Sequence, residues 1–427
     1  MKFIYAFLVN PLLLMVAHIA AVFRTDIREA VAGRYATFKR LNQWLKTDSA
    51  GDQKTILLHA ASMGEFEHIK PLILALKRRY GFRFVVTFFS PSGFNHVKRF
   101  EGVALFIYMP FDFGFLWKRL YRKIKPRFLI ISKHDVWPNQ VWTARKMGLP
   151  VFLVNASLAA ESSRLKIPAR WFMGKIYNAL DGVYAISKED RERFRQNFGL
   201  HQVQTVGDTK FDQVLIRKKQ SRASDLIDPH WFGNNKCLLF GSIWPEDGRH
   251  IVPVLKKILN SFHQLKAILV PHQIHESFIK ELEDELGEFY PVRFTTGNIQ
   301  PEQRILIVDA IGKLADLYRY AQVAYVGGSF KQGIHNVMEP AVYGIPVLFG
   351  PVYRNSLEAI KLQEVNGAFS VKDSHELETV LYLFLIDDEK REEAGARAQQ
   401  FAEENLGATD RILADWRSRK LISAEDQ

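Results

Sequence analysis

A glutamate, Glu65, stands where a carboxylate can do chemistry. The run Ile56-Leu57-Leu58-His59-Ala60-Ala61 reads as a buried strand; it delivers Ser62-Met63-Gly64-Glu65, and then Phe66, Ile69, Leu72, Ile73 and Leu76 recur at helical spacing. Glu65 is therefore expected at the carboxyl edge of a strand and the start of a helix, beside a glycine. Ligands of open α/β sheets bind along that edge, where a carboxylate can act as general base on a hydroxyl. A carboxylate in a first helical turn also complements the helix dipole without any catalytic role. Position alone does not separate the two readings.

A second constellation lies in Ala324-Tyr325-Val326-Gly327-Gly328-Ser329-Phe330, followed by Gly333-Ile334-His335-Asn336-Val337-Met338-Glu339-Pro340 and Gly344-Ile345-Pro346-Val347-Leu348-Phe349-Gly350-Pro351. It predicts an apolar strand running into two glycines, a loop that opens a helix at His335 or Asn336, and a second strand. Glycine lets backbone approach a ligand closely, and the N–H groups of a helix start attract phosphate. Glu339, about one turn into that helix, can accept two hydrogen bonds from a vicinal diol such as ribose. Glycines and Asn or His caps are also ordinary punctuation. Their concentration in one stretch favours a nucleotide site.

The elements that must position these groups follow from the rest of the chain. It has 427 residues, 47% of them apolar, enough for two domains with sizeable cores. The formal net charge of +12 points to an anionic partner. No zinc-knuckle, RNP motif or sustained basic tail is present, which argues against nucleic acid. The single cysteine, Cys237, excludes an internal disulfide and sits in an apolar run as core packing. The scattered histidines give no metal motif, so no metal is expected. Strand and helix patterns alternate through both halves, which argues two doubly wound α/β domains. Ser221 to Asn235 is polar, lacks a clear period and reads as their connection.

Phe3 to Phe23 carries no formal charge and is long enough, as a helix, to cross a hydrocarbon core. Arg24, Arg28, Arg34, Lys39 and Arg40 follow, and such a basic flank is retained on the cytoplasmic side. A cleaved signal peptide, a buried core helix or an interfacial helix kinked at Pro11 fits the same residues. Leu116 to Arg127 forms a second amphipathic pattern, with Trp117 and Tyr121 beside the apolar face and basic residues elsewhere. It suits anionic headgroups, or an ordinary solvated helix with a buried aromatic edge.

The pattern GGS…G-x-H-N-x-x-E-P…G-x-P-V-x-x-G-P resembles the donor-binding half of the 3-deoxy-D-manno-octulosonic acid (Kdo) transferases. Ser62-Met63-Gly64-Glu65 is similar to that family's Ser-Val-Gly-Glu, and Gly207-Asp208-Thr209-Lys210-Phe211-Asp212 to its Gly-Asn-x-Lys-Phe-Asp. Lys133-His134-Asp135-Val136-Trp137-Pro138-Asn139 departs from the family's Glu-Thr-Glu-Ile-Trp-Pro-Asn and keeps only the second acid, shortened to Asp135. His272 after Pro271 stands where most members have arginine, and Lys313 of Ile311-Gly312-Lys313 where they have glutamate.

The resemblance implies a membrane-associated GT-B glycosyltransferase that moves Kdo from CMP-Kdo to a lipid A precursor with inversion. It implies no cofactor beyond the donor substrate. The expected partners are CMP-Kdo, the lipid A precursor and the phospholipid surface of the inner membrane, on its cytoplasmic face. The expected organisation is an anchor over 1–24, an acceptor domain over 25–212 and a nucleotide-sugar domain over 213–427, the two Rossmann-like domains facing one cleft. Glu65 is the expected base, Asp135 positions the reacting centre, and Lys210 stabilises developing charge. Ser62, Gly64, Gly241, Ser242, Pro271, His272, Ile311, Gly312, Lys313, Gly328, Ser329, His335, Asn336 and Glu339 are the expected substrate and nucleotide contacts. A GT-B enzyme using a UDP-sugar, and a catalytically idle membrane-tethered relative, are the alternatives this pattern leaves.

Overall fold

The computed structural model describes residues 2–48, 54–97, 99–221 and 225–423. These fall into two compact units, one of Met1–Gln213 with Gly407–Gln427 and the other of Val214–Leu406. The tail after 406 therefore lies outside the second unit, unlike the continuous 213–427 domain expected. The connection expected at 221–235 is also displaced. A helix, Thr209–Ser221, runs across the boundary, residues 222–224 lie outside the described residues, and Trp231 is buried in the second unit's core.

The first unit is built on seven parallel strands: β1 (Thr55–Ala60), β2 (Arg83–Phe88), β3 (Val103–Tyr108), β4 (Leu129–Ser132), β5 (Val151–Ala156), β6 (Gly182–Ala185) and β7 (Val203–Thr205). Their spatial order is β3-β2-β1-β4-β5-β6-β7. Both faces are covered, so the central strands are near-continuous apolar runs, and all six residues of β1 are buried. After β1 the helix Met63–Tyr80 starts on Ser62, whose hydroxyl accepts from the Glu65 N–H, and ends at Gly81 with φ 69°. Phe66, Ile69, Leu72, Ile73 and Leu76 all bury against the sheet. The order reverses at β1 and β4, which leaves a crevice outside their carboxyl ends.

The second unit repeats the plan with β8 (Lys236–Ile243), β9 (Leu265–Pro271), β10 (Pro291–Arg293), β11 (Ile305–Ile307), β12 (Val323–Val326), β13 (Val347–Phe349) and β14 (Ala368–Ser370). Its order is β10-β11-β9-β8-β12-β13-β14, so the reversal falls at β8 and β12. Cys237 on β8 is fully buried among apolar neighbours. Gly241 and Ser242 are part of β8, where Gly241 pairs with Val270 and Val326.

The apolar helix Lys2–Phe23 has a mean hydropathy of 2.2. It is not a separate module: it packs back on the helix Thr25–Thr47 and on the first unit. Tyr5 donates its hydroxyl to Asp112 Oδ2 at 2.9 Å, Asn10 donates to the Asp112 carbonyl at 2.8 Å, and His18 Nε2 meets the Tyr35 hydroxyl at 2.9 Å. Asp112 also receives Trp117 Nε1 and the Asn139 and Gln140 N–H groups. The opposite face, with Phe3, Phe7, Leu12, Val16, Ile19 and Phe23, is exposed. On the helix Gly114–Ile124, Trp117 and Tyr121 belong to the core, while the outer face carries basic residues and the exposed Phe115.

Candidate active site

Glu65 and Asp135 come from the two strands at which the first sheet reverses. Glu65 follows β1; Asp135 lies in the loop after β4. Glu65 Oε2 accepts the Ala61 N–H at 2.7 Å, and Ser132 Oγ donates to the Glu65 carbonyl at 3.1 Å. Ser62 and Glu65 thus form a capping pair whose acid reaches one residue further back than usual. Oε1 faces His134, with Nε2 at 3.8 Å. Burial raises the Glu65 carboxyl above the usual range; the Ala61 N–H opposes this, Asp135 adds to it, and His59 and Lys133 oppose it. A carboxyl raised in this way is suited to taking a proton near neutral pH.

Asp135 Oδ2 lies 2.9 Å from His59 Nε2. Burial works against its charge, yet the His59 contact holds Asp135 below the usual carboxylate range. The loop that presents it starts at Lys133, which has φ 63° and so occupies the left-handed region at the strand exit. Gly64 is exposed, and a Cβ there would meet only Ser62 Oγ at 3.8 Å. The fold does not require a glycine at that position. Lys210 opens the helix Thr209–Ser221, with Nζ 3.9 Å from Asp208 Oδ2, and Asp208 in turn lies 3.4 Å from His68 Nδ1. The Thr209 hydroxyl donates to the His68 carbonyl, which ties Lys210 to the helix that carries Glu65.

In the second unit the expected nucleotide residues gather at the carboxyl ends of β8, β9 and β12. The His272 ring stacks on Trp244 at 4.5 Å and on His335 at 4.3 Å. Burial pushes the His335 imidazole down to about 4, helped by His272. Gly327 packs so tightly that a Cβ would lie 2.3 Å from the Ser242 carbonyl, and Gly328, with φ 86°, would meet the Gly333 carbonyl at 2.5 Å. The Gly328 N–H is held by Asp247 Oδ2 at 2.8 Å, and Asp247 also receives the Tyr325 hydroxyl and the Trp244 N–H. Ser329 is fully buried; its hydroxyl donates to the Val326 carbonyl and accepts the Gly350 N–H. That side chain braces the loop and is not presented to a ligand, contrary to expectation.

The helix expected at His335 or Asn336 begins only at Met338 and lasts four residues. Asn336 Oδ1 accepts the Met338 N–H and so closes a local turn before it. Glu339 is in that helix's first turn; its Oε1 receives Arg217 Nη1 at 3.0 Å and Asn336 Nδ2 at 3.2 Å. Pro271 ends β9, and Ser242, with φ 53°, lies near the end of β8. Ile311, Gly312 and Lys313 form an exposed turn before the short helix Leu314–Leu317, with Ile311 89% exposed. Asp247, Trp244, Arg217 and His59 are site residues that the sequence did not single out.

Two seven-stranded parallel units, each with polar groups at its reversal point, define the GT-B fold. Solved structures share this fold. A UDP-GlcNAc 2-epimerase from Neisseria meningitidis bound to UDP-GlcNAc matches at TM-score 0.59 and 13% identity, over 85% of this chain and 100% of that one. A putative UDP-N-acetylglucosamine 2-epimerase from Listeria monocytogenes matches at TM-score 0.57 and 15% identity, over 86% and 96%. Residues 32–213 match the family described as 3-deoxy-D-manno-octulosonic-acid transferase (kdotransferase). The 3-deoxy-D-manno-octulosonic acid transferase of Aquifex aeolicus is 29% identical over 86% of this chain and 98% of its own, and that of Chlamydophila psittaci 28% over 88% and 87%. The match to that family thus spans residues 32–213, and curated Kdo transferases resemble the chain over most of its length.

Proposed function

We propose that this enzyme transfers Kdo from CMP-Kdo to a lipid A precursor with inversion, Glu65 acting as general base. The observation that carries the reading is the asymmetry of Glu65: Oε2 is fixed by the Ala61 N–H at 2.7 Å, while Oε1 faces His134 Nε2 at 3.8 Å. In this reading Oε1 takes the proton of the acceptor hydroxyl as its oxygen bonds to the anomeric carbon, and CMP leaves with the electrons of the glycosidic bond. Asp135 positions the reacting centre, and Lys210 balances developing negative charge. Glu339 and Asn336 take the ribose hydroxyls, the loop at Gly328 approaches the phosphate, and the backbone of Ile311, Gly312 and Lys313 reads the cytosine edge. The reading uses no metal and no cofactor.

The same reading places the enzyme on the cytoplasmic face of the inner membrane. The helix Lys2–Phe23 is pinned near its start by Asp112 and near its end by Arg28, which donates to the Ala21 carbonyl. A helix held along its length with an apolar outer face suits burial in one leaflet, parallel to the surface.

The experiment is product mass after incubating the membrane-bound enzyme with CMP-Kdo, generated in situ, and a bisphosphorylated lipid A precursor. Addition of one or more Kdo units is expected and also counts the transfers. An unchanged acceptor with CMP binding intact would reject this donor and acceptor pair.

A further inference from the structure

Trp244 follows β8 and caps the helix Pro245–Ser261. Its N–H reaches Asp247 Oδ2 at 2.9 Å, on the carboxylate that also holds the Gly328 N–H at 2.8 Å. One buried acid therefore fixes both the indole and the glycine loop, and His335 packs against both. The His335 ring lies within 5° of the Trp244 plane, with Trp244 Nε1 3.1 Å from His335 Nε2. A Cβ on Gly328 would lie 3.0 Å from His335 Cδ2 and 3.1 Å from Nε2, so that edge of the ring is closed off. His272 covers one ring face, with centroids 4.3 Å apart. Among the described residues Nδ1 has no hydrogen-bond partner, and it is open to solvent. An indole nitrogen only donates, so His335 Nε2 accepts, and a neutral imidazole that accepts at Nε2 carries its one hydrogen on Nδ1. The other tautomer and the imidazolium both put a hydrogen on Nε2, donor against donor at 3.1 Å. The hydrogen is thus assigned by a partner that can play one role only, and it lies on the open edge of the ring.

We propose that Trp244 is a positioning residue that locks His335 as a neutral donor, and that its Nδ1–H binds an anionic oxygen of the nucleotide sugar, phosphate or carboxylate. The proposal rests on the reading of the second unit as the nucleotide-sugar unit. It also answers the departure at His272, where most members have arginine. Burial holds the His272 imidazole down, and His335 is pushed down to about 4, so neither ring of the stack supplies the missing charge near neutral pH. A fixed neutral donor serves an anion without the cost of burying a cation. The charged groups on the surrounding elements are Asp247, Glu246 paired with Lys331 at 2.8 Å, and Glu339 paired with Arg217 at 3.0 Å. Among the described residues only His272 adds to burial in shifting the His335 ring.

The direct test is nitrogen NMR of the full-length, 15N-histidine-labelled enzyme in lipid nanodiscs, with the His335 signals assigned by their loss in His335→Gln. From about pH 5 to about pH 8, Nδ1 is expected to be protonated and Nε2 bare. A hydrogen on Nε2 in that window overturns the proposal. The functional test is Trp244→Phe, which keeps a ring under His272 and removes the donor. His335 should then titrate near its ordinary value of about 6.5. CMP affinity relative to the parent should be roughly fivefold weaker at about pH 8, the order of one lost hydrogen bond, and should recover as the imidazolium forms toward about pH 5.5. A variant-to-parent ratio that does not change with pH gives Trp244 a packing role only and rejects the lock. Cytidine, which lacks the phosphate, should bind variant and parent equally; an equal loss for cytidine and CMP rejects the anion contact. A raised KM for CMP-Kdo with CMP affinity kept would assign the donor to the sugar carboxylate instead of the phosphate. A parent that binds no CMP would reject the donor reading, while the NMR result still decides the lock.

Discussion

Trp244 donates its indole N–H to His335 Nε2 at 3.1 Å, which fixes that nitrogen as an acceptor. His335 is therefore neutral in the folded state, in agreement with its imidazole being pushed down to about 4 by burial and by His272. An unfolded histidine titrates at about 6.5. The stability that depends on neutral His335 is thus fully present above about pH 6.5 and is lost as pH falls through about 4. Discounted for solvent screening, the loss is on the order of 1–2 kcal/mol. Thermal unfolding of the second unit followed across this window should show the decline, and His335→Gln should flatten it. An unchanged slope in the variant would assign the acid sensitivity to other groups.

Gly64 offers a clean separation of folding from function. A Cβ there meets only Ser62 Oγ at 3.8 Å, and alanine favours a first helical turn over glycine. Gly64→Ala should unfold at the same temperature as the parent or slightly higher. If substrate approaches the backbone beside Glu65, turnover should fall by roughly 100-fold or more, the effect of a small misplacement at the reacting atoms. Full activity would show that this surface is not part of the site.

Arg217 neutralises a carboxylate that burial alone pushes upward, since Glu339 is raised first by burial and lowered by Arg217. Arg217→Met should leave Glu339 more readily protonated and a poorer acceptor for ribose hydroxyls. CMP affinity by calorimetry is expected to drop about tenfold, or about 1.4 kcal/mol, and the loss should lessen as pH rises. Equal affinity in parent and variant would take Glu339 out of nucleotide binding.

The attachment of the amino-terminal helix can be weakened without touching its apolar face. Tyr5→Phe with Asn10→Ala removes two hydrogen bonds to the Asp112 residue. At about 1–2 kcal/mol for each bond to a buried or charged group, the first unit should lose about 2–4 kcal/mol, and protease should reach the helix in detergent. A helix that still resists cleavage would show that apolar packing alone holds it.

How much was legible in the sequence depends on the range over which each interaction acts. The strands were legible because parallel strands covered on both faces are near-continuous apolar runs, as Ile56 to Leu58 and Leu238 to Phe240 are. Glu65 was legible because its strand, glycine and helix start are contiguous. The groups that hold the sites were not, because their partners are remote: Asp247 and Gly328 are 81 residues apart, and Arg217 and Glu339 are 122 apart. Ser329 read as a ligand contact because a buried brace and an exposed donor look alike in a glycine-rich run. The helix placed at His335 failed because Asn336 uses its side chain in a local turn, which delays the helix to Met338.

The return of residues 407–423 to the first unit bears on synthesis. Trp416 is fully buried there, 5.0 Å from the Phe128 ring and 5.2 Å from the Phe152 ring, and Tyr184 bonds Asp415. The ribosome thus delivers the sheet of the first unit early and the side chains that close its core last. The second unit, complete once Leu406 has emerged, can finish folding while the first still waits for its final helix. During that interval the apolar surface at Phe128 and Phe152 lacks the Trp416 ring that covers it in the finished fold.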